Sequence, residues 1–402
     1  MSRSSAPLLV VGGGLVGATA ALSLARRGHA VTLVERAPPQ SAAPSAGSLG
    51  VDLRTVALAP DSLALLREVG AWDTELEAAA ERYGAMEVWD AEGTGRIRFE
   101  AAELGQPSLG VIVENIRVLR RLWQCLRDEG VTLRTGAGVT ALSVDPGAGI
   151  SIALDDGTRL GGRLVLAADG ARSRVRELAG IGTEETDTGQ TAIATVVATE
   201  RPHGHTAWQR FLPTGPLAFL PLPDHPDGRH RCAVVWSLDR ARAEEVAALD
   251  DAAFAAALGR AFERRLGDIL AVDRRIGFPL VQIHARRYVA PGVVLVGDAA
   301  HVVHPLAGQG VNLGLRDVRR LVTELDRIRA TGPLLDPNLL ARYERERRGE
   351  NALMLGSLLG LKRLFGADQL GIRLLRNAGL RFTDGSATIK RRLMVHALGL
   401  TA

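Results

Sequence analysis

Cysteine is scarce in this sequence of 402 residues, where only Cys125 and Cys232 occur. The two lie far apart, and neither belongs to a Cys-x-x-Cys pair or to another spacing typical of zinc ligands. A disulfide scaffold and a metal site are therefore not expected. A reducing, cytoplasmic setting fits this cysteine usage best.

A long uninterrupted apolar run is also missing. Residues 6–25 are uncharged and resemble a signal peptide or a short membrane span, but four glycines interrupt them. No other segment is long and apolar enough to cross a bilayer. Any membrane association would therefore be peripheral.

The composition is that of an ordinary globular enzyme, with 46% hydrophobic and 23% charged residues. The length suits two domains or one large composite. The net charge of +4 is uneven, because residues 353–402 contain eight Lys or Arg against two acids. This tail is either a solvated helical surface or a surface that attracts an anionic membrane or partner. Nucleic acid is not an expected partner, since no recognised binding motif accompanies the charge.

The amino-terminal segment predicts a dinucleotide-binding βαβ unit. A short apolar strand leads into a GxGxxG motif formed by Gly12, Gly14 and Gly17, followed by a helix and a second strand that ends at Glu35. The glycines allow a tight turn and a close approach to a pyrophosphate, and the helix amino terminus offers free N–H groups. Glu35 can accept hydrogen bonds from ribose hydroxyls and disfavours a 2′-phosphate, which leaves FAD or NAD. A second glycine pattern at 135–141 runs into a segment that alternates like a strand rather than opening a helix, and it is interpreted as a hairpin or turn.

Two later segments favour FAD. Each is a strand followed by a turn, one with Asp169 and Gly170 and the other with Gly297 and Asp298. Asp298 is predicted at the carboxyl edge of a parallel sheet, where it could bond a polyol chain. A glycine-rich helix start follows and suits a ring edge that becomes anionic on reduction. We interpret His301 and His304 as loop or cap residues, because no carboxylate partner lies nearby in the sequence.

Together with GxGxxG and Glu35, the segments ADGARSRVR and GDAAHVVHPLAGQGVNLGLRD resemble the single-component FAD-dependent aromatic hydroxylases. More narrowly, the chain is similar to the ubiquinone-biosynthesis hydroxylases that act on polyprenylphenols. Segments 52–73, 83–99 and 377–400 extend this resemblance over nearly the whole chain. The resemblance implies that NADH or NADPH reduces a bound FAD, that O2 reacts through a flavin hydroperoxide, and that the aromatic ring is hydroxylated.

The resemblance also assigns site residues. The positions bordering the flavin ring would be Pro305, Gly308, Gln309 and Gly310. The cofactor-binding positions would be Gly12, Gly14, Gly17, Glu35, Arg36, Arg54, Asn115, Asp169, Asp298, Gly310, Val311 and Asn312. The chemistry would belong to the flavin, so no side chain is singled out as catalytic and no metal is expected.

The expected architecture is α/β, with a Rossmann-like FAD-binding domain of the aromatic-hydroxylase type. That domain is predicted as discontinuous over 1–80, 105–180 and 285–345. A substrate domain with an antiparallel sheet would comprise 81–104 and 181–284, and a helical region would follow from 346 to 402. Within the substrate domain, strands are expected at 192–199, 206–212, 217–222 and 231–238.

The expected partners are the polyprenylphenol and O2. A multi-protein ubiquinone-biosynthesis complex, the inner face of the cytoplasmic membrane and a homodimer are further candidates. Two other functions stay open at this point. One is a different FAD-dependent oxidoreductase on a hydrophobic substrate, such as a prenyl reductase or a halogenase-like enzyme, although the halogenase WxWxIP segment is missing. The other is a non-catalytic subunit that holds FAD within a biosynthetic complex.

Overall fold

A computed structural model describes residues 6–39, 47–147, 149–303, 309–328, 334–366 and 369–399. The strands are β1 (Leu8–Val11), β2 (Val31–Glu35), β3 (Thr55–Leu58), β4 (Glu81–Tyr83), β5 (Ala85–Asp90), β6 (Arg96–Glu100), β7 (Gly110–Glu114), β8 (Thr132–Thr135), β9 (Val139–Asp145), β10 (Gly149–Leu154), β11 (Arg159–Gly162), β12 (Leu164–Ala167), β13 (Thr183–Thr199), β14 (Thr206–Leu212), β15 (Gly215–Leu222), β16 (His230–Asp239), β17 (Ile269–Val272), β18 (Ile276–Ala285), β19 (Val289–Ala290), β20 (Val293–Leu295) and β21 (His301–Val302). The helices are α1 (Leu15–Ala25), α2 (Pro60–Glu68), α3 (Thr74–Ala79), α4 (Asn115–Asp128), α5 (Arg174–Leu178), α6 (Arg240–Ala247), α7 (Asp251–Ala261), α8 (Gln309–Ile328), α9 (Ala341–Phe365), α10 (Leu370–Gly385) and α11 (Ala387–Leu398).

A six-stranded sheet in the order β19-β20-β12-β1-β2-β8 forms the centre of the molecule. All its pairings are parallel except the one between β19 and β20. Its inner strands β1 and β12 are fully buried, as expected for strands covered on both faces by other elements. Helix α1 packs against α4 and α8, and its small residues Ala18 and Ala21 allow this close contact.

A nine-stranded sheet forms the second large layer, in the order β21-β18-β13-β16-β15-β14-β5-β6, with β17 also paired to β13. Its pairings are antiparallel except that of β14 with β5. The alternating sequences that predicted strands near 192–199, 206–212, 217–222 and 231–238 lie in β13, β14, β15 and β16, so these predictions are confirmed. Helices α6 and α7 cover one face through a core that includes Phe254.

Two three-stranded antiparallel sheets complete the β structure. One has the order β3-β7-β4, and the other has the order β11-β10-β9. Residues 136–138 of the second glycine pattern connect β8 to β9, and β9 begins at Val139 and pairs antiparallel with β10. This confirms the predicted turn and the strand that follows it. Two strand pairings cross the expected domain boundaries. Strand β4 of the expected substrate domain pairs with β7 of the expected FAD-binding domain, and β21 of the expected FAD-binding domain pairs with β18 in the nine-stranded sheet.

The carboxyl-terminal part of the described chain consists of α9, α10 and α11, as the sequence predicted. Two of three apolar residues at helical spacing in α9 pack into the protein: Leu358 and Phe365 are buried, whereas Leu361 is exposed. The Phe365 ring stacks on Phe211 of β14, with 3.9 Å between the ring centroids. This part of α9 therefore packs against the nine-stranded sheet.

Candidate functional site

Four adjacent parallel strands of the central sheet end at the same edge of that sheet, and a residue singled out from the sequence lies at the end of each. In the order β20, β12, β1 and β2, these residues are Asp298, Asp169, Gly12 and Glu35. Backbone hydrogen bonds continue the ladder into the turns: Val296 N to Ala167 O is 3.0 Å, and Gly12 N to Val34 O is 2.8 Å. Adjacent strands lie about 4.8 Å apart, so the four turns span about 14 Å, which suits an extended ligand.

The GxGxxG loop has the geometry expected of a phosphate-binding turn. Gly12 has a φ of +102°, and a Cβ there would lie 2.2 Å from the Ala168 carbonyl oxygen. A Cβ on Gly17 would lie 1.9 Å from the Gly12 carbonyl oxygen, so only glycine permits the contact between helix and loop. Gly14 precedes α1 in open space, and no side chain caps this helix. The helix terminus is therefore accessible to an anionic group.

Glu35 and a residue that the sequence analysis missed hold this loop in place. The Glu35 carboxylate accepts hydrogen bonds from Gly13 N at 2.5 Å and from Ala37 N at 2.8 Å. Trp123 of α4 donates its Nε1–H to the Gly13 carbonyl at 2.9 Å. No local pattern identifies Trp123, because its partner lies more than a hundred positions earlier. Arg36 is exposed and lies beside Gly138.

Asp169 shapes the second turn rather than offering a free carboxylate. It accepts hydrogen bonds from the Ser173 hydroxyl at 2.5 Å and from Val175 N at 3.1 Å, which fixes the chain entering α5. The buried Arg176 donates to the carbonyls of Ala171 and Ala299 at 2.9 and 3.0 Å. Arg176 thus links the turn at Asp169 to the turn at Asp298.

Asp298 lies in a 3₁₀ turn, Gly297–Ala299, directly after β20 and Val296. Its side chain is exposed, yet protein surrounds the carboxylate closely enough that desolvation raises its pKa, against the opposing charge of His301. Gly297 has a φ of +59°, and a Cβ there would lie 3.1 Å from a methyl group of Val16 in α1. The turn therefore presents Asp298 beside the amino-terminal turn of α1.

A buried polar network supports the Gly297 turn. The sequence analysis found no carboxylate partner for His301, but the fold supplies one from α8: His301 Nε2 lies 2.6 Å from Asp317 Oδ2. The same oxygen accepts a hydrogen bond from Gly297 N at 3.0 Å, and Arg347 of α9 donates to the other oxygen at 2.7 Å. Desolvation alone would raise the pKa of Asp317, but His301 and Arg347 together hold it below its ordinary value.

The start of α8 contains two of the expected flavin-bordering positions, Gln309 and Gly310, and the expected cofactor-binding position Val311. Gln309, Gly310 and Val311 are half-buried, and Gln309 Oε1 is buried without a hydrogen-bond partner among the described residues. The side chain of Asn312 is instead fully buried and ties α8 to the segment joining β3 and α2. It accepts from Ala59 N at 2.9 Å and donates to Ala57 O at 2.8 Å. The expected positions Pro305 and Gly308, together with His304, lie outside the described residues.

Arg54 and Asn115 are neighbours in the structure. Asn115 begins α4, and its backbone N–H donates to the Arg54 carbonyl at 2.8 Å. Arg54 is exposed. The Asn115 Oδ1 atom is buried without a partner among the described residues. A buried amide oxygen without a partner is costly in a folded protein, so a ligand or water donor is expected there.

The site fits FAD by the chemistry of its hydrogen-bond donors and acceptors. The amino-terminal turn of α1 is open to phosphates, Glu35 and Asp298 are carboxylates at the two ends of the row, and two buried amide oxygens have no partner in the described part of the chain. A ligand with phosphates, a ribose, a polyol chain and a flat ring with N–H groups matches this set. A groove of about 770 Å³ lined by arginines of α2 and α8 contains none of these residues, and we exclude it as the cofactor site.

Gly14→Ala tests this assignment with little risk to the fold. Gly14 has a φ of −67° and a ψ of −178°, which alanine tolerates, and a Cβ there meets no atom within 4 Å. We expect unfolding free energies within about 0.5 kcal/mol of wild type, because Gly→Ala at a compatible position is neutral to slightly stabilising. FAD retention should fall at least about tenfold, since the methyl group would occupy space beside the phosphates.

The measurement is FAD dissociation followed by flavin fluorescence, with denaturant unfolding of the apoprotein beside it. Gly349→Ala on the exposed side of α9 is the matched control, since its Cβ also meets no atom within 4 Å. Unchanged FAD retention in the Gly14 variant would contradict the placement of the phosphates.

Comparison with known proteins gives consistent results. The FAD binding domain family matches residues 5–355. The chain is 37% identical to 3-demethoxyubiquinol 3-hydroxylase of Escherichia coli over the full length of both chains. It is 39% identical to ubiquinone hydroxylase UbiL of Rhodospirillum rubrum, covering 98% of this chain and 90% of the relative. The crystal structure of pqsL, a probable FAD-dependent monooxygenase from Pseudomonas aeruginosa, superposes with a TM-score of 0.76 at 25% identity, covering 94% of this chain and all of that one.

Proposed function

The chain belongs to the family of FAD-dependent hydroxylases of ubiquinone biosynthesis, and from this premise we propose that it hydroxylates the aromatic ring of a polyprenylated phenol. It is an FAD-dependent monooxygenase that uses NAD(P)H. The observation that carries the proposal is the row of four strand ends, which presents the open α1 terminus, Glu35 and Asp298 along one edge. This row suits an extended cofactor, which would itself supply the chemistry that hydroxylates the substrate ring.

Each part of the row has a proposed role toward FAD. The amino-terminal turn of α1 would bind the pyrophosphate, and Glu35 would accept hydrogen bonds from the ribose hydroxyls. Asp298 would accept a hydrogen bond from the ribityl chain. Gln309 and Asn115 would meet the ring or its neighbouring hydroxyls with their unpartnered amide oxygens.

Bound FAD supplies the redox chemistry, accepting a hydride from NAD(P)H and activating O2 for transfer of one oxygen atom to the phenol ring. The contribution of the protein is to position the ring and to exclude water. The first turn of α8 would direct its N–H groups and positive dipole end at the position where negative charge develops. The buried network of Asp317, His301 and Arg347 keeps the Gly297 turn in place beneath Asp298.

The substrate class bears on where the protein works. A polyprenylphenol is a bilayer lipid, so the enzyme must meet the membrane or receive its substrate from a partner. None of the described helices is both long and apolar enough to cross a membrane. We place the protein in the cytoplasm, at the inner face of the cytoplasmic membrane, with a ubiquinone-biosynthesis complex as the other proposed setting. The expected domains, with a discontinuous FAD domain and a separate substrate sheet, are part of the same proposal.

The experiment that tests the function is a turnover assay on purified protein. The protein should be yellow and should release FAD rather than FMN on denaturation. A short-chain prenylphenol should stimulate NAD(P)H oxidation and yield a product that is one oxygen atom heavier. FAD without hydroxylated product would identify the chain as a subunit that only holds the cofactor, and reduction of the prenyl chain would identify a prenyl reductase.

Asp298→Ala should lower FAD retention or turnover about 10- to 100-fold, because one charge-assisted hydrogen bond contributes roughly 1.5–3 kcal/mol. Asp156→Ala, in the exposed turn between β10 and β11, is the control and should leave both unchanged. Wild-type rates and flavin content in the Asp298 variant would remove Asp298 from the site.

A further inference from the structure

Helix α10 reverses the arrangement expected of a surface helix. Its Arg376 is buried and forms a bidentate ion pair with Asp90 of β5, at 2.7 and 2.9 Å. Leu374, Leu375 and Phe382 of the same helix are 63%, 73% and 70% exposed. A helix in contact with water usually buries its apolar stripe and exposes its charges. The exposed apolar side of α10 therefore needs a contact outside the described chain.

The exposed apolar residues are concentrated in this region. Of the twelve large apolar side chains that are exposed in the described chain, seven lie between residues 353 and 393. The three on α10 fall on one side of the helix, because residues 374, 375, 378 and 382 lie within about 100° of one another at 100° per residue. We call Leu374, Leu375 and Phe382 the α10 face. Singly exposed leucines are ordinary, but a cluster of this kind marks an interaction surface.

Only part of the positive charge that the sequence places in residues 353–402 is available near this face. Lys362 is half-buried and bonded to the Thr188 carbonyl, Arg373 pairs with Glu92 at 3.2 Å, and Lys390 pairs with Glu103 at 2.8 Å. Together with Arg376, these cations are engaged within the protein. Four other arginines in the described parts of 353–399 are exposed: Arg363, Arg381, Arg391 and Arg392.

Acidic residues are scarce in the same stretch of sequence. In the described parts of 353–399 the sole acid is Asp384, which accepts a hydrogen bond from Arg98 N at 3.1 Å and lies 3.6 Å from Lys390. The exposed surface of α10 and α11 therefore combines four large apolar side chains, the three of the α10 face and Leu393, with exposed arginines. This is the chemistry of a helix that lies in the plane of an anionic bilayer.

We infer that the α10 face docks on an anionic lipid bilayer, with Leu374, Leu375 and Phe382 entering the boundary between headgroups and acyl chains and the exposed arginines contacting lipid phosphates. The inference deepens the proposed function, on which it rests, because it names how an enzyme acting on a bilayer lipid reaches its substrate. The Arg376–Asp90 pair joins α10 to the nine-stranded sheet. Docking would therefore hold that sheet, the proposed substrate domain, against the membrane.

The test uses the FAD-loaded, full-length protein and sedimentation with vesicles. One set contains about one third phosphatidylglycerol in phosphatidylcholine, and the other contains phosphatidylcholine alone. The wild type should sediment with the anionic vesicles and should be released as salt is raised, since the arginine contribution is screened. A triple variant, Leu374→Gln, Leu375→Gln and Phe382→Gln, should bind about 100-fold more weakly.

A matched control removes three exposed apolar side chains elsewhere, through Val144→Gln, Leu270→Gln and Leu339→Gln. This variant should bind vesicles as the wild type does. A second variant, Arg381→Gln, Arg391→Gln and Arg392→Gln, should bind more weakly and lose most of its salt dependence. Wild-type circular dichroism spectra would show that the variants are folded.

Three outcomes would overturn the inference: a wild type that ignores anionic vesicles at low salt, an α10 variant that binds them as tightly as the control, or a wild-type dimer that becomes monomeric in the α10 variant. The last would show that a second copy of the chain covers the face. Turnover of a soluble short-chain phenol should survive in all variants. Vesicle binding needs no turnover, so failure of the proposed function would appear separately, as an inactive wild type that still binds.

Discussion

Asp317→Ala should reduce the free energy of unfolding by about 3–5 kcal/mol, because it leaves buried polar partners without their counter-charge. Asp317 and His301 have no exposed side-chain surface, and Arg347 is only 4% exposed. Without the Asp317 carboxylate, the Arg347 guanidinium, the His301 ring and the Gly297 N–H all lose the hydrogen-bond partner that they share. The loss should also loosen the Gly297 turn, so FAD retention should fall with stability. Denaturant unfolding and flavin release measure the two effects.

Two further measurements separate the ion pair from general damage to the core. Asp317→Asn combined with Arg347→Met should be more stable than Asp317→Asn alone, because no buried charge is then left uncompensated. The pKa of Asp317 is lowered in the fold, so its stabilisation is present above its unfolded pKa of about 3.9 and is lost as pH falls through the folded value. The gap between wild type and Asp317→Asn should therefore narrow below about pH 4. Purely additive losses, or a pH-independent gap, would contradict this account.

Arg376→Gln should detach α10 from the nine-stranded sheet. Its guanidinium makes two bonds to Asp90 and also donates to the carbonyls of Leu364 and Phe365 at 3.1 and 2.9 Å, with both side chains of the ion pair 1% exposed. Glutamine cannot replace this fork, and the Asp90 carboxylate would remain buried without its partner. We expect a loss of about 3–5 kcal/mol from the α10 attachment. Hydrogen exchange across Leu370–Gly385 should rise by orders of magnitude.

Arg381→Gln is the matched control, since Arg381 lies on the same helix but is exposed. It should leave hydrogen exchange and thermal unfolding unchanged, because surface substitutions away from such contacts cost less than about 0.5 kcal/mol. Arg376→Lys should recover little, since an ammonium group cannot form the bidentate pair. Protection of α10 at wild-type levels in Arg376→Gln would show that apolar contacts alone hold the helix.

Much of the site was predictable because its signals are local in sequence. The spacing of Gly12, Gly14 and Gly17 after a buried strand dictates a tight turn, since a Cβ at Gly12 or Gly17 would collide with backbone. Strand alternation placed β14 at 206–212 and anticipated the antiparallel sheet around it. The turns at Asp169 and Asp298 follow strands, and parallel strands bring their carboxyl ends to one edge.

The contacts that hold this site together depend instead on pairs that are distant in sequence. Trp123 reaches Gly13, Asp317 reaches His301 and Gly297, and Asn312 turns from the expected cofactor face to bond Ala57 and Ala59. No spacing rule couples such positions, because they meet only when α4 and α8 pack beside α1. For the same reason, the sequence could not show which cations of residues 353–402 are paired within the protein.

Periodicity and glycine spacing are properties of short segments, so the βαβ dinucleotide unit, the antiparallel sheet and the cationic helical end could all be predicted from the sequence. Which of the charges are available to a partner depends instead on how the helices pack. Arg376 is buried on Asp90 and Lys390 pairs with Glu103, whereas Arg381 is exposed on the helix that carries Leu374 and Phe382. Burial and pairing depend on the rotation of each helix against the sheet, and that rotation is fixed by contacts almost three hundred residues apart.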